Sequence, residues 1–498
     1  MQHTLSEMKS KACLPGGDPA INRPTNRRLA ILFPSVWSLR NVVYSGVLGL
    51  LRESGVELQL LIRRWSENSP YYKLDELNSG CSISGFAETT PTGKGRGRAF
   101  LQGVLFAAHT AQHQNRSYPI YRRWHTRRET LSQRIRSSFI GFLSKAATPM
   151  SIYNTLYRLN EMLYERAYDF QAVEQQLRLL EPAWLWSTVS VATEEQPYIF
   201  AARKLHIPIV TSILGFDNLT SRWARPRFDH YLLWSEAMKS DLLRVLPEVS
   251  PAQISVTGTP QFDFHCRNDL VWSRAKTLKR IGLADTDRYF VYGASAEFLT
   301  PDEPELVAQI ADRMERHPLL KTFDLVVRLH PLDDWKRWEN TTGRHGRIII
   351  SPAWDNAPDK DGWAFTTVED QSRLVNTLRH SEGCINIAST ISLDAAILDK
   401  PVVCIDFRSE PDCPREILYE EYDTEHYLPL VRSGGIRVAH NWPELLSLLA
   451  RAIESPEEDR EKRRQMIERE CGKVDGQAAK RVAAAIVALL DSRPALHM

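Results

Sequence analysis

Cysteine is scarce. Seven occur in 498 residues, at positions 13, 81, 266, 384, 404, 413 and 471, with no C-x-x-C pair among them. That odd, scattered set excludes a disulfide framework and a zinc ribbon, and is the pattern of reduced thiols in a cytosolic protein. Long apolar runs are missing too. No stretch reaches about 18 apolar residues, so no membrane-spanning helix is expected. The opening "MQHTLSEMKSKACLPGGDPAINRPTNRR" lacks the apolar centre of a secretory signal, so the chain is expected to be cytoplasmic. An excess of one charge is absent: 63 Lys+Arg against 61 Asp+Glu leave +2. That balance, without a recognisable nucleic-acid module, gives no reason to expect nucleic acid as a partner. No His, Cys and Asp cluster stands at metal-ligand spacing, so neither a metal nor another cofactor is expected.

What is present is ordinary globular composition, 43% hydrophobic and 25% charged. The length exceeds one core, which predicts two or three domains. Residues 1–27 are polar with Pro and Gly and read as a flexible tail. "RRLAILFPS" (28–35), "NVVYSGVLGLLRES" and "VELQLLI" (56–62) give strand, helix, strand, a βαβ unit of a parallel sheet. Residues 65–98 read as a long loop and 99–181 as a helical, basic insertion. Strands resume at 183–190, 207–214, 230–235 and 254–264, and residues 265–287 read as a connection. A second βα series runs from "RYFVYGAS" (288–295) through 323–328, 347–351, 384–389 and 401–407 to terminal helices. The expected fold is α/β: two Rossmann-like domains facing a cleft. Residues 28–270 are expected to form the N-terminal domain with its insertion, and 271–498 the C-terminal domain. Ligands in such sheets sit at the carboxyl ends of the strands.

Three strand ends in the second half carry unusual residues. "VYGAS" ends in Gly293 and Ser295, and a glycine there lets the backbone approach a ligand. "VVRLHP" ends in Arg328, His330 and Pro331, where the proline stops the strand and fixes the turn. "INIASTISLD" opens a helix at Ser389 and Thr390, a place that attracts anions, with Asp394 one turn further. Each also has a plainer reading: an N-cap, a solvated first-turn acid, a strand-ending turn.

"RLHP" followed by "INIASTISLDAAILDKPVV" resembles the carboxyl-terminal domain of GT-B glycosyltransferases. Within that group it is similar to enzymes of bacterial surface and capsular polysaccharide synthesis: His-Pro motif sialyl and Kdo transferases and CDP-glycerol glycerophosphotransferases. "TGTPQFD" (257–263) stands where the family has G-N-P-R/Q-x-D, with Thr259 in place of Asn. "ILGFDNLTSR" (213–222) is similar to its W-D-N-L-T segment. The resemblance spans roughly 183–450 and implies a metal-independent transferase. His330 would meet the nucleotide phosphate with Arg328, Ser389 and Thr390. Asp394 would hold the ribose, and Gly293 and Ser295 would line the pocket.

Transfer to a hydroxyl needs a group to take its proton. Glu194, Glu195 and Asp217 stand at strand ends of the first half, beside His330 of the second. A solvated helix turn, or a turn-forming Asp-Asn, explains the same acids equally well. From 93 to 147 the chain has eleven Lys/Arg and one acid, Glu129, with aromatics interleaved. That belt, 94–145, suits an anionic membrane surface or an acidic saccharide; a solvated helical face explains it as well. The expected activity moves a sugar, or a polyol phosphate, from a CMP-, CDP- or UDP-type donor to a glycan or lipid-linked acceptor. A UDP-N-acetylglucosamine 2-epimerase-like enzyme and a non-catalytic nucleotide-sugar-binding scaffold are the alternatives.

Overall fold

The computed structural model describes residues 26–64, 80–94, 97–113, 117, 130–221, 227–285, 287–297, 300–355, 366–407 and 420–492. All but the end of the expected tail, Cys13, Cys413, and Tyr118, Tyr121, Trp124 and Glu129 of the basic belt lie outside these residues.

The first half is a seven-stranded sheet. Its strands are β1 (Arg28–Phe33), β2 (Glu57–Ile62), β3 (Cys81–Gly85), β6 (Trp184–Ser187), β7 (Ile209–Ser212), β8 (His230–Leu233) and β9 (Ile254–Val256), in the order β3-β2-β1-β6-β7-β8-β9. A short antiparallel pair, β4 (Thr90–Pro91) with β5 (Tyr168–Asp169), lies outside it. The second half is a six-stranded sheet of β10 (Arg288–Gly293), β11 (Phe323–Arg328), β12 (Ile348–Ser351), β13 (Cys384–Asn386), β14 (Val402–Ile405) and β15 (Arg437–Ala439). Its order is β12-β11-β10-β13-β14-β15. Every pairing within the two large sheets is parallel. In each, the first strand is internal and the order reverses beside it, the switch point at which doubly wound sheets open a crevice. The chain thus forms two Rossmann-like domains.

Both faces of these sheets are covered, which is why the strands read as continuous apolar runs. Leu29, Ile31 and Leu32 of β1 and Val326 and Val327 of β11 are fully buried, each such side chain stabilising by roughly 1.5–3 kcal/mol. The helix expected after β1 comes in two pieces. A π-helical turn, Leu39–Tyr44, ends at Gly46, whose φ of 87° only glycine adopts freely, and an α-helix follows over Val47–Glu53.

β3 runs through a stretch expected to be loop. "CSISG" has no apolar run, because an edge strand needs less burial, and β15 is short for the same reason. The insertion forms helices Arg98–Gln112, Leu131–Ala146, Met150–Ala167 and Gln171–Leu180, and the first three share a small core of Val104, Leu105, Ala108, Tyr153 and Tyr157. The terminal helices do not act as one unit. Helix Trp442–Glu454 packs on β14 and β15, whereas Ala478–Asp491 returns to the first half. There Val482, Ala483, Ile486 and Leu490 join the core of β1 and β2. Asp263 accepts hydrogen bonds from the N–H groups of Ala478 (3.0 Å) and Ala479 (2.8 Å), fastening the start of that helix.

Candidate functional site

Register brings the three strand ends of the second half level. Gly293 of β10 stands opposite Arg328 of β11 on one side and Asn386 of β13 on the other. Residues 294–295, 329–331 and 387–390 therefore leave the sheet side by side.

His330 is half-buried. Its Nδ1 accepts from the Leu332 N–H at 3.1 Å, so the neutral ring carries its proton on Nε2. Burial, helped by the nearby Arg337 charge, pushes its pKa down to about 4. The imidazole is thus a fixed, uncharged donor across the physiological range. The turn closes with Asp333 N–H donating to the His330 carbonyl at 2.9 Å.

Beneath the turn, the Asp333 carboxylate accepts from Arg337 Nη2 (3.0 Å) and Trp338 Nε1 (3.0 Å). Arg337 also donates to the carbonyls of Thr300 (2.7 Å) and Ser295 (2.9 Å) and to Glu303 (3.1 Å). Glu303 in turn accepts from the Ser295 N–H at 2.9 Å and from Tyr292 Oη at 3.0 Å. Burial pushes Glu303 up to about 8, against the opposing pull of Arg337. One network therefore holds both the Ser295 loop and the His330 turn.

Arg328 has another occupation. Its Nη1 and Nη2 donate to the carbonyls of Pro352 (2.7 Å) and Ala353 (2.8 Å), and the side chain is buried. It ties β11 to the loop carrying Trp354, whose ring meets Trp37 of the first half at 5.6 Å. The reason for Gly293 also differs from the expected one. A Cβ there would lie 2.6 Å from Ile391 Cγ2, so the glycine admits the helix Ile391–Ile397 against β10.

Ala388, in the left-handed region at φ 40°, turns the chain out of β13, and its N–H donates to Tyr422 Oη at 3.1 Å. Ser389 N–H donates to Asn386 Oδ1 at 3.0 Å, and Thr390 is exposed. Asp394 faces the first half. Its Oδ1 lies 3.1 Å from Nε2 of the buried His265. Arg40 is near enough for the Asp394 charge to offset part of the burial that pushes its guanidinium down to about 10. Arg40 lies 5.0 Å from the Trp37 ring and donates to Gln261 Oε1.

The acids of the first half separate. Glu195 is wholly buried, accepts from Ser187 Oγ and from the Val189 N–H (3.2 Å), and burial raises its pKa well above the usual range. It braces the end of β6. Glu194 is paired with Arg63 at 2.7 Å. Asp217, in the loop after β7, accepts from Asn218 Nδ2 at 3.0 Å. Next to it the Phe216 ring meets His426 edge-on at 5.0 Å. His426 Nε2 lies 2.7 Å from Glu421 Oε1. Burial lowers the pKa of His426, but the hydrogen bond and charge of Glu421, with Asp217 and Glu470, outweigh it and leave a net rise. Burial pushes Glu470 up to about 7.

Sequence reading missed Arg40, His265 and His426. Arg40 and His265 each follow a strand end of the first half, the signal that singled out His330. His426 follows no strand closely, and nothing in its neighbours marked it. Asp312, Glu315 and His345 bring ligand atoms together at the surface, at the amino ends of the strands and so opposite the tips described above.

No protein-family profile and no curated protein matches the sequence. Solved structures do match. Staphylococcus aureus MnaA with UDP is 13% identical, with TM-score 0.50 over 94% of this chain and 99% of the other. UDP-GlcNAc 2-epimerase from Neisseria meningitidis, bound to UDP-GlcNAc, is 13% identical, with TM-score 0.51 over 93% and 100%. At such identity the likeness establishes a shared GT-B fold.

Proposed function

We propose that the protein is a GT-B enzyme acting on a nucleotide-activated sugar or polyol phosphate, with the donor phosphate held at the strand tips of the second half. The observation that carries this reading is His330: a neutral Nε2–H donor, fixed by the Leu332 N–H, beside the level tips at Ser295 and Ser389. Ser389 and Thr390 supply hydroxyls, and Pro331 sets the turn. Arg40, from the first half, supplies positive charge facing the same rim. Arg328 positions the loop 352–354 rather than the phosphate. Catalysis rests on positioning and on stabilising the charge of the departing phosphate.

Transfer to an acceptor hydroxyl is the favoured reaction, with Asp217 taking the acceptor proton. Its side chain is part-exposed and lies in the cleft loop, whereas Glu194 is tied to Arg63 and Glu195 is walled in. The helical insertion beside this half favours a large acceptor over a reaction without one. A second reading, 2-epimerisation of UDP-GlcNAc, is supported by the full-length likeness to epimerases. NMR of a UDP-GlcNAc incubation without acceptor separates the two. Appearance of the 2-epimer supports epimerisation; nucleotide release that requires a glycan acceptor and is lost in Asp217→Asn supports transfer.

A further inference from the structure

The helix Leu131–Ala146 is apolar on two opposite faces. Its inner face packs on the helix Arg98–Gln112, where Gly103 leaves room: a Cβ there would lie 3.0 Å from Ile140 Cδ1. Among the described residues the outer face is exposed, with the Phe139 ring at its edge reaching Phe100 of the neighbouring helix at 5.9 Å. Leu131 is 76% exposed, Ile135 64%, Phe139 53% and Phe142 70%. At 3.6 residues per turn these four fall within roughly 80° of one another. Surface hydrophobics scattered singly are common, but four on one stripe are not.

The flanks of the stripe identify the occupant. Arg134 and Lys145 border one side and Arg136 the other, all exposed, and the helix contains no Asp or Glu. Upstream, Arg116, Arg122, Arg123, Arg127 and Arg128 add to the positive charge of the segment. The helix has its own start, with Thr130 and Gln133 forming a reciprocal capping box. Bulky apolar residues along a stripe with cations on both sides match an anionic bilayer, which takes side chains into the acyl boundary and meets cations with phosphates. Among the described residues no helix is long and apolar enough to cross a membrane, so this surface would lie on the bilayer.

We propose that Leu131–Ala146 docks the protein on an anionic phospholipid surface, with Leu131, Ile135, Phe139 and Phe142 entering the bilayer. This inference is independent of the cleft chemistry. The test is flotation of the full-length protein with phosphatidylcholine vesicles, with or without phosphatidylglycerol. The expected result is binding only to the anionic vesicles, weakened as salt rises from about 0.1 to 0.5 M. Ile135→Ser with Phe142→Ser should reduce it by at least about tenfold, with unchanged circular dichroism because both side chains are exposed. Arg134→Glu with Arg136→Glu should reduce it without removing any apolar contact. Absence of wild-type binding, or binding at the wild-type level by either double variant, overturns the proposal. So does a concentration-dependent dimer in ultracentrifugation that Ile135→Ser with Phe142→Ser dissolves, since the stripe would then face a second copy.

Discussion

At the scale of single residues, His330 shows how burial sets chemistry. A histidine near pKa 6.5 would change charge within the physiological range; this one, pushed down to about 4, does not. Nucleotide binding measured by calorimetry should therefore show no His330 titration step between about pH 5.5 and 8. A step near 6.5 that vanishes in His330→Ala would mean that the ring binds as a cation. The same depressed pKa affects stability. The folded ring resists protonation while the unfolded one accepts it, so this contribution is present above about pH 6.5 and is lost as pH falls toward 4. Of the features expected at the site, the His330 turn was legible because its signal was local. The partners of Arg328 were not, because the carbonyls of Pro352 and Ala353 lie a whole βαβ crossover away and leave no trace near "VVRLHP".

Elements depend on two kinds of fit. The first is steric. Gly293→Ala would place a Cβ 2.6 Å from Ile391 Cγ2, costing about 1–3 kcal/mol, and Ile391→Ala should recover much of it; urea unfolding of the single and double variants measures both. The second is polar. Arg337→Ala would leave Asp333 buried without its counter-charge and Glu303 without its guanidinium partner, a loss of about 3–5 kcal/mol. It should also loosen the His330 turn, so nucleotide affinity should fall together with Tm. The central strands were legible because both their faces are buried and their apolar runs are continuous. β3 and β15 were not, since edge strands carry little of that pattern. The connection over 265–287 carries no such pattern, yet Asn376 clasps it, accepting from the Trp272 N–H (2.8 Å) and donating to the Leu270 carbonyl (2.8 Å). Such pairings are invisible to any local window.

At the scale of the whole molecule, the two halves meet through titratable groups. His426, with Glu421 and Glu470 in the second half, faces Phe216 and Asp217 in the first. The pKa of His426 is raised, so its contribution is full below about pH 6.5 and is lost as pH rises through the folded value. Glu470, raised to about 7, acts in the same direction, losing its contribution between about pH 4.5 and 7. Tm should therefore decline from about pH 6 to 8.5, less steeply in His426→Gln than in the wild type; an unchanged slope would rule out this contact as the cause. The returning helix Ala478–Asp491 makes the chain's end part of its first half. Asp263→Ala, which leaves two helix-start N–H groups without their acceptor, should cost about 1–2 kcal/mol in urea unfolding.

The central claim is that the second half binds a nucleotide phosphate through the neutral His330. Thermal shift with CMP, CDP, UDP and GDP, on the wild type and on His330→Ala, tests it most directly. The account predicts that at least one nucleotide raises the wild-type Tm by several degrees at saturation and that His330→Ala weakens its binding by about tenfold, near 1.4 kcal/mol. Stabilisation by no nucleotide, or equal stabilisation of both proteins, would contradict it.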